Sequence, residues 1–136
     1  MTADRLSTSI VLLAGAIAGL SGAAQAQSIE RRVAAASGQA ALIGNESQWN
    51  HRCQWIGDPV YNFLQNPSHG SISTRREAKT IKSCLAGSCE CLDHQITGLA
   101  LYYTSQPGFH GKDVFNYTSK FDNGVVIDHN TTIDVK

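Results

Sequence analysis

The chain has 136 residues, 42% of them hydrophobic, with 11 Lys+Arg against 11 Asp+Glu and four cysteines, so its formal net charge is zero. That length holds one domain, and a cancelled charge with no basic run excludes nucleic acid, whose phosphates need clustered Lys and Arg. A domain this small buries only a marginal core, so covalent cross-links would help to hold it.

Residues 1–9 are polar and contain Arg5, residues 10–20 (IVLLAGAIAGL) are an uninterrupted apolar run, and Ala24-Gln25-Ala26 supplies small-x-small. Those three parts in that order predict a secretory signal over 1–26. The apolar run spans about 16 Å as a helix, roughly half of a ~30 Å hydrocarbon core, which argues against a permanent anchor. The expected product is a periplasmic or secreted protein with no membrane attachment after cleavage. Residues 27–45 (QSIERRVAAASGQAALIGN) are rich in Ala, Ser and Gly and have no aromatic residue. They read as a short flexible or partly helical leader ahead of a folded domain at 46–136.

Beyond Glu46 the apolar period is mostly two, the mark of strands. Residues 49–55 are expected to begin the sheet. Residues 60–64 and the shorter 71–74 follow, then 99–104, 114–121 and 125–135. In the last of these Val125, Ile127, Thr131, Ile133 and Val135 share one parity with His129, while Asp128, Asn130, Thr132 and Asp134 take the other. Asn123-Gly124 is a tight-hairpin dipeptide that pairs 114–121 with the chain after it, because both positions tolerate positive φ. Short strands separated by turns, with no long helical pattern, predict an all-β antiparallel sandwich. Residues 73–95, charged and holding three cysteines, fit least well and read as a long cross-linked loop or a ragged hairpin.

An even number of cysteines in an exported domain reads as disulfides. A Cys89–Cys91 bridge across one residue is strained, which leaves Cys53–Cys91 with Cys84–Cys89, or Cys53–Cys89 with Cys84–Cys91. Either pairing closes a loop of nearly forty residues and limits the unfolded chain by about 4 kcal/mol in the loop-entropy description. The rival reading is a metal site, Cys84-x4-Cys89-x-Cys91-x2-His94. It lacks the paired Cys-x2-Cys knuckles of structural zinc.

Three phrases carry a family likeness: Asn66-Pro67-Ser68-His69-Gly70-Ser71-Ile72, Leu101-Tyr102-Tyr103-Thr104, and Pro107-Gly108-Phe109-His110-Gly111-Lys112-Asp113-Val114-Phe115-Asn116-Tyr117. With Asp122-Asn123-Gly124-Val125 and a closing Ile133-Asp134-Val135, they resemble bacterial immunoglobulin-like (cadherin-like) repeat domains over about 60–136. The resemblance implies an immunoglobulin-like sandwich with Pro67, Gly70, Pro107, Gly108, Phe109, Gly111, Asp113, Phe115, Tyr117 and Gly124 as its structural motif. The physics of these residues agrees. Gly108 and Gly111 let the chain bend so that Phe109 can plug one end of the core, and Asp113 is placed to accept hydrogen bonds from nearby turn amides. The family occurs as tandem repeats in long surface proteins, whereas a lone domain is expected here, with a cysteine-rich insertion at about 75–94.

Catalytic patterns are missing: no Gly-x-Ser-x-Gly, no His-Glu-x-x-His, no phosphate-binding glycine loop. His51, His69, His94, His110 and His129 are scattered, so exposed or turn positions are expected for them in place of a metal. Asp113, Asp122 and Asp128 are too few and too separate for the six to eight oxygens of calcium. Glu90 and Asp93, as a carboxylate pair, read as solvated loop charges, and Trp49 and Trp55 as core residues before sugar platforms. The sequons at Asn45, Asn116 and Asn130 are expected to stay unmodified. No cofactor and no catalysis are expected. The expected function is a non-catalytic exported binding module for a protein or glycan of the cell envelope or surface. The alternative is a small disulfide-stabilised periplasmic enzyme inhibitor or stress-protective protein that uses the 75–94 insert as a rigid wedge.

Overall fold

The computed structural model describes residues 27–136, so the expected signal at 1–26 lies outside the described residues. Nine strands follow in chain order: β1 (Gln27–Ala35), β2 (Ala40–Glu46), β3 (Gln48–Trp49), β4 (Trp55–Gly57), β5 (Val60–Gln65), β6 (Gly70–Thr80), β7 (Gln95–Ser105), β8 (Gly111–Lys120) and β9 (Val126–Val135), with a 3-10 turn at Cys89–Cys91. One sheet has the order β1-β9-β8-β5 and the other β2-β7-β6, while β3 and β4 form a small separate hairpin. If β2, β5, β6, β7, β8 and β9 are lettered B to G, the sheets read G-F-C and B-E-D. That is the immunoglobulin-like sandwich, with its first strand added to the G-F-C sheet.

Alternation explains the layers. On β9, Ile127, His129, Thr131, Ile133 and Val135 are buried and the residues between them are not, and on β8 Asp113, Phe115, Tyr117 and Ser119 do the same. The buried sets of β7, β8 and β9 meet Ala35 and Ile43 in a core of Leu101, Tyr103, Phe115, Tyr117, Ile133 and Val135. A second cluster of Ile81, Cys91 and Ile96, with Trp49 and Cys53 against it, lies under the cysteine-rich segment.

The leader expected at 27–45 is a correction: these residues form β1 and most of β2 and are integral to the sandwich. β1 pairs in parallel with β9 from Gln27↔Ile127 to Ala35↔Val135, so this sheet is mixed and not wholly antiparallel. Ile29, Arg31, Val33 and Ala35 share the less exposed parity. Small Ala side chains and an arginine stem make that period-two signal faint, and a parallel partner a hundred residues away is invisible locally. The ragged segment at 73–95 is a correction in part. β6 runs to Thr80 and pairs with β7 through Thr80↔Gln95, which confines the irregular chain to 81–94. Trp49 and Trp55 pair across the β3–β4 hairpin outside both main sheets.

The 120–126 turn differs in type from the expected tight hairpin. Gly124 N–H bonds the Phe121 carbonyl and Gly124 alone takes positive φ, at 85°. This is a three-residue loop closed by a left-handed glycine, with Asn123 Oδ1 accepting from Val125 N–H at 3.0 Å.

Candidate functional site: a bare sheet edge and a polar cleft

Pro67, Gly70, Pro107, Gly108, Phe109, Gly111 and Asp113 gather at one end of the sandwich, where their geometry serves closure, whereas Gly124 turns β8 into β9 at the other end. Asp113 is the hub. Its Oδ1 accepts from Ser68 N–H at 2.9 Å and Val114 N–H at 3.0 Å, and its Oδ2 accepts from His69 N–H and the Tyr103 hydroxyl, each at 2.9 Å. Burial alone would raise this carboxyl; the backbone donors of His69 and Ser68, with Tyr103 and Val114, outweigh it and hold Asp113 below its ordinary value. The Pro67-to-Gly70 turn is thereby pinned to β8. A Cβ on Gly70 would stand 2.5 Å from the Tyr103 ring, so the approach of β6 to β7 requires glycine here. Phe109, between Gly108 (φ 81°) and Gly111 (φ 138°), packs against the core and stacks on His69 at 4.2 Å between centroids. Pro107 lies exposed in the same loop. Phe115 and Tyr117 are fully buried on one face.

Lys120, Val126, Gln95 and Glu46 mark the opposite end, where the cysteines lie. The bridges are Cys53–Cys91 and Cys84–Cys89, one of the two pairings left open by spacing. All four sulfurs are thus oxidised, which excludes the Cys/His metal reading and fits an oxidising, extracellular-type environment. No helix among the described residues is long and apolar enough to cross a membrane. Trp49 closes the disulfide loop: its Nε1–H donates to the Ser88 carbonyl at 3.1 Å, and its ring lies against Gly87. Glu90 is exposed on the 3-10 turn, and Asp93 pairs with Lys82 at 2.6 Å in solvent. Among the described residues no group of three or more His, Cys, Asp or Glu could hold a metal ion.

His129 corrects the expectation of exposed or turn histidines. It is 3% exposed in mid-strand, stacked on Tyr117 at 4.3 Å. Its Nε2 lies 2.8 Å from Ser119 Oγ and 2.9 Å from Glu46 Oε1. Serine, histidine and carboxylate together invite comparison with a nucleophile relay. In such a relay the hydroxyl and the acid occupy opposite ring nitrogens. Here both sit on Nε2, Nδ1 has no protein partner, and Ser119 is fully buried. The cluster orients a histidine and does not activate a hydroxyl.

Two surface features remain. The first is β5, a free edge whose single neighbour is β8. Among the four edges of the two sheets, β1 carries Glu30, Arg31 and Arg32, β2 carries Glu46, and β6 carries Arg75, Arg76, Glu77 and Lys79, whereas β5 (VYNFLQ) has no charged residue. Charges are the usual guard against edge-to-edge pairing. In and just before β5, five large apolar side chains are 40% or more exposed: Trp55, Ile56, Val60, Phe63 and Leu64. Tyr61 and Phe63 anchor the strand inward, Tyr61 through its hydroxyl to the Leu99 carbonyl at 2.7 Å and Phe63 edge-on to Phe115. The Arg76 guanidinium sits 5.5 Å over the Trp55 ring and pairs with Asp58 at 2.6 Å.

The second feature is a cleft of about 220 Å3 near the disulfide loop, lined by Arg31, Glu46, Lys79 and His129 among apolar residues that include Leu85 and Phe121. Burial pulls the Lys79 ammonium below its ordinary value; Glu46 opposes this and Arg31 adds to it. Neither feature was evident from sequence. The parity of His129 was a visible signal for the cleft, and the charge-free composition of β5 a visible signal for the edge.

No family model matches the chain, and no curated protein or solved structure matches it either.

Proposed function

We propose that this protein is a non-catalytic, exported binding module of the bacterial immunoglobulin-like (cadherin-like) kind. It acts in the periplasm or outside the cell and recognises an extended segment of an envelope or surface protein along β5. The observation that carries this reading is the charge-free β5 edge with exposed Val60, Phe63 and Leu64, preceded in the chain by exposed Trp55 and Ile56 on β4. Monomeric proteins rarely leave such a patch open, and an unguarded strand edge supplies the backbone donors and acceptors that strand addition needs. Export is supported by the apolar run at 10–20 with Ala24-x-Ala26, and by two disulfides. A glycan is the weaker partner, because the ring of the exposed Trp55 already carries the Arg76 guanidinium.

The test selects from a displayed random peptide library against the oxidised protein. The variants Val60→Lys and Leu64→Lys are chosen because both positions are more than 60% exposed. Enriched peptides are expected to alternate apolar and polar residues and to lose binding to either variant. Peptides that bind the variants equally well, or selection that enriches nothing while a polysaccharide panel binds saturably, would contradict the reading. The inhibitor alternative rests on Leu85, 48% exposed within the Cys84–Cys89 ring. It is favoured only if peptide or protease binding disappears when that ring is replaced by a short glycine linker.

A further inference from the structure

The cleft beside the disulfide loop has a composition that the β5 reading does not use. Two cations reach it, Arg31 from β1 and Lys79 from β6, against the single carboxylate of Glu46 from β2. Arg31 Nη1 donates to the Ile43 carbonyl, and Lys79 Nζ to the Asn45 carbonyl. A guanidinium carries five donors and an ammonium three, so each cation retains donors for a further partner. Glu46 is already engaged, with Oε1 2.9 Å from His129 Nε2 and 3.4 Å from the Tyr117 hydroxyl. Glu46 Oε2, Asn45 Oδ1 and His129 Nδ1 are buried without protein partners on residues that line the same cleft. Two of these atoms, Glu46 Oε2 and Asn45 Oδ1, are acceptors that need a donor, so the claim of the cleft on an anion rests on the spare donors of Arg31 and Lys79. The remaining wall is mostly apolar, including Trp49, Leu85, Phe121 and Ile127, with Ser47 and Ser83 as its polar part.

We propose that this cleft binds a small organic carboxylate with a short apolar body, either a free acid or the C-terminus of a chain. One negative charge balances the excess of two cations over one carboxylate. It also relieves the repulsion between Arg31 and Lys79, which, added to the larger effect of burial, pulls the lysine below its ordinary value. The apolar wall selects the body. A cleft of about 220 Å3 has room for several water-sized groups, which suits a six-carbon aliphatic or a single-ring body next to the carboxylate. The inference stands apart from strand addition at β5, since no β5 residue lines the cleft.

The test is titration calorimetry of the oxidised protein with hexanoate and benzoate, with hexylamine, benzylamine and benzamide as matched bodies lacking the negative charge. A tripeptide ending in free phenylalanine, beside its C-terminal amide, separates the two sources of carboxylate. The acids are expected to bind saturably, with the amines and amides weaker by about tenfold or more, the scale of one charge-assisted hydrogen bond. Lys79→Met keeps the stem, loses the charge and should weaken the acids by a similar factor. Glu46→Gln removes the competing negative charge and should tighten them, so the proposal remains open to refutation if Lys79→Met fails to fold. Equal binding of amines or neutral bodies, no saturable heat with any acid, or weaker acid binding by a folded Glu46→Gln would overturn it. Val60→Lys should leave acid binding unchanged.

Discussion

At the scale of single residues, Asp113 shows how one side chain closes the sandwich. Its four accepted hydrogen bonds join the turn after β5, the start of β8 and the last part of β7. Asparagine at this position turns an acceptor into a donor against backbone N–H groups, so Asp113→Asn should destabilise the protein by about 2 kcal/mol at neutral pH. The pH dependence has a definite sign. The folded carboxyl is held below its unfolded value of about 4, so its stabilisation is complete above that value and is lost as pH falls through the lower, folded one. Urea midpoints at pH 7 and pH 3 test this: the gap between the natural protein and Asp113→Asn should narrow on acidification. A gap independent of pH would remove Asp113 from its role. Its role as an acceptor of turn amides was legible in the sequence, but the donors Ser68 and His69 lie on a distant turn and Tyr103 on β7, not on the Gly108–Gly111 turn just before it. His129 was half legible. Its parity with the apolar residues of β9 was visible, yet an exposed or turn position was expected, because the partners that make burial tolerable, Ser119 and Glu46, lie on other strands with no local trace of contact.

At the scale of elements, the two disulfides divide the labour. Cys53–Cys91 spans 38 residues and anchors the β3–β4 hairpin to the second core, whereas Cys84–Cys89 spans 5 and shapes a surface loop. Paired alanine substitution should therefore cost about 4 kcal/mol at the first bridge and about 2 kcal/mol at the second. Cys91 is fully buried and Cys89 exposed, so graded treatment with a dithiol should open Cys84–Cys89 first. Alkylation and mass mapping read the order, and Cys53–Cys91 opening first would contradict it. The elements differ in how visible they were. β8 and β9 announce themselves through strict alternation and the Asn123-Gly124 turn between them. β1 and β2 do not, because alanine satisfies a strand face without marking it and a parallel pairing leaves no hairpin signal. β6 was seen only at its start, since Arg75, Arg76 and Glu77 resemble loop charges until β7 lies beside them.

At the scale of the whole molecule, the two ends of the sandwich have different tasks. One is closed by Asp113, Gly70 and Phe109. The other is cross-linked and carries the cleft, and the β5 edge runs between them. The β1 and β6 edges carry several charges, β2 carries Glu46 alone, and β5 carries none, and that asymmetry is the basis for proposing a strand-accepting surface. Amide hydrogen exchange of the oxidised protein, alone and with a selected peptide, tests it most directly. The β5 amides that do not face β8 should exchange fast in the free protein and become protected on binding, while β1 and β6 stay unchanged. Protection elsewhere with β5 unaffected, or β5 amides already protected in the free monomer, would contradict the account.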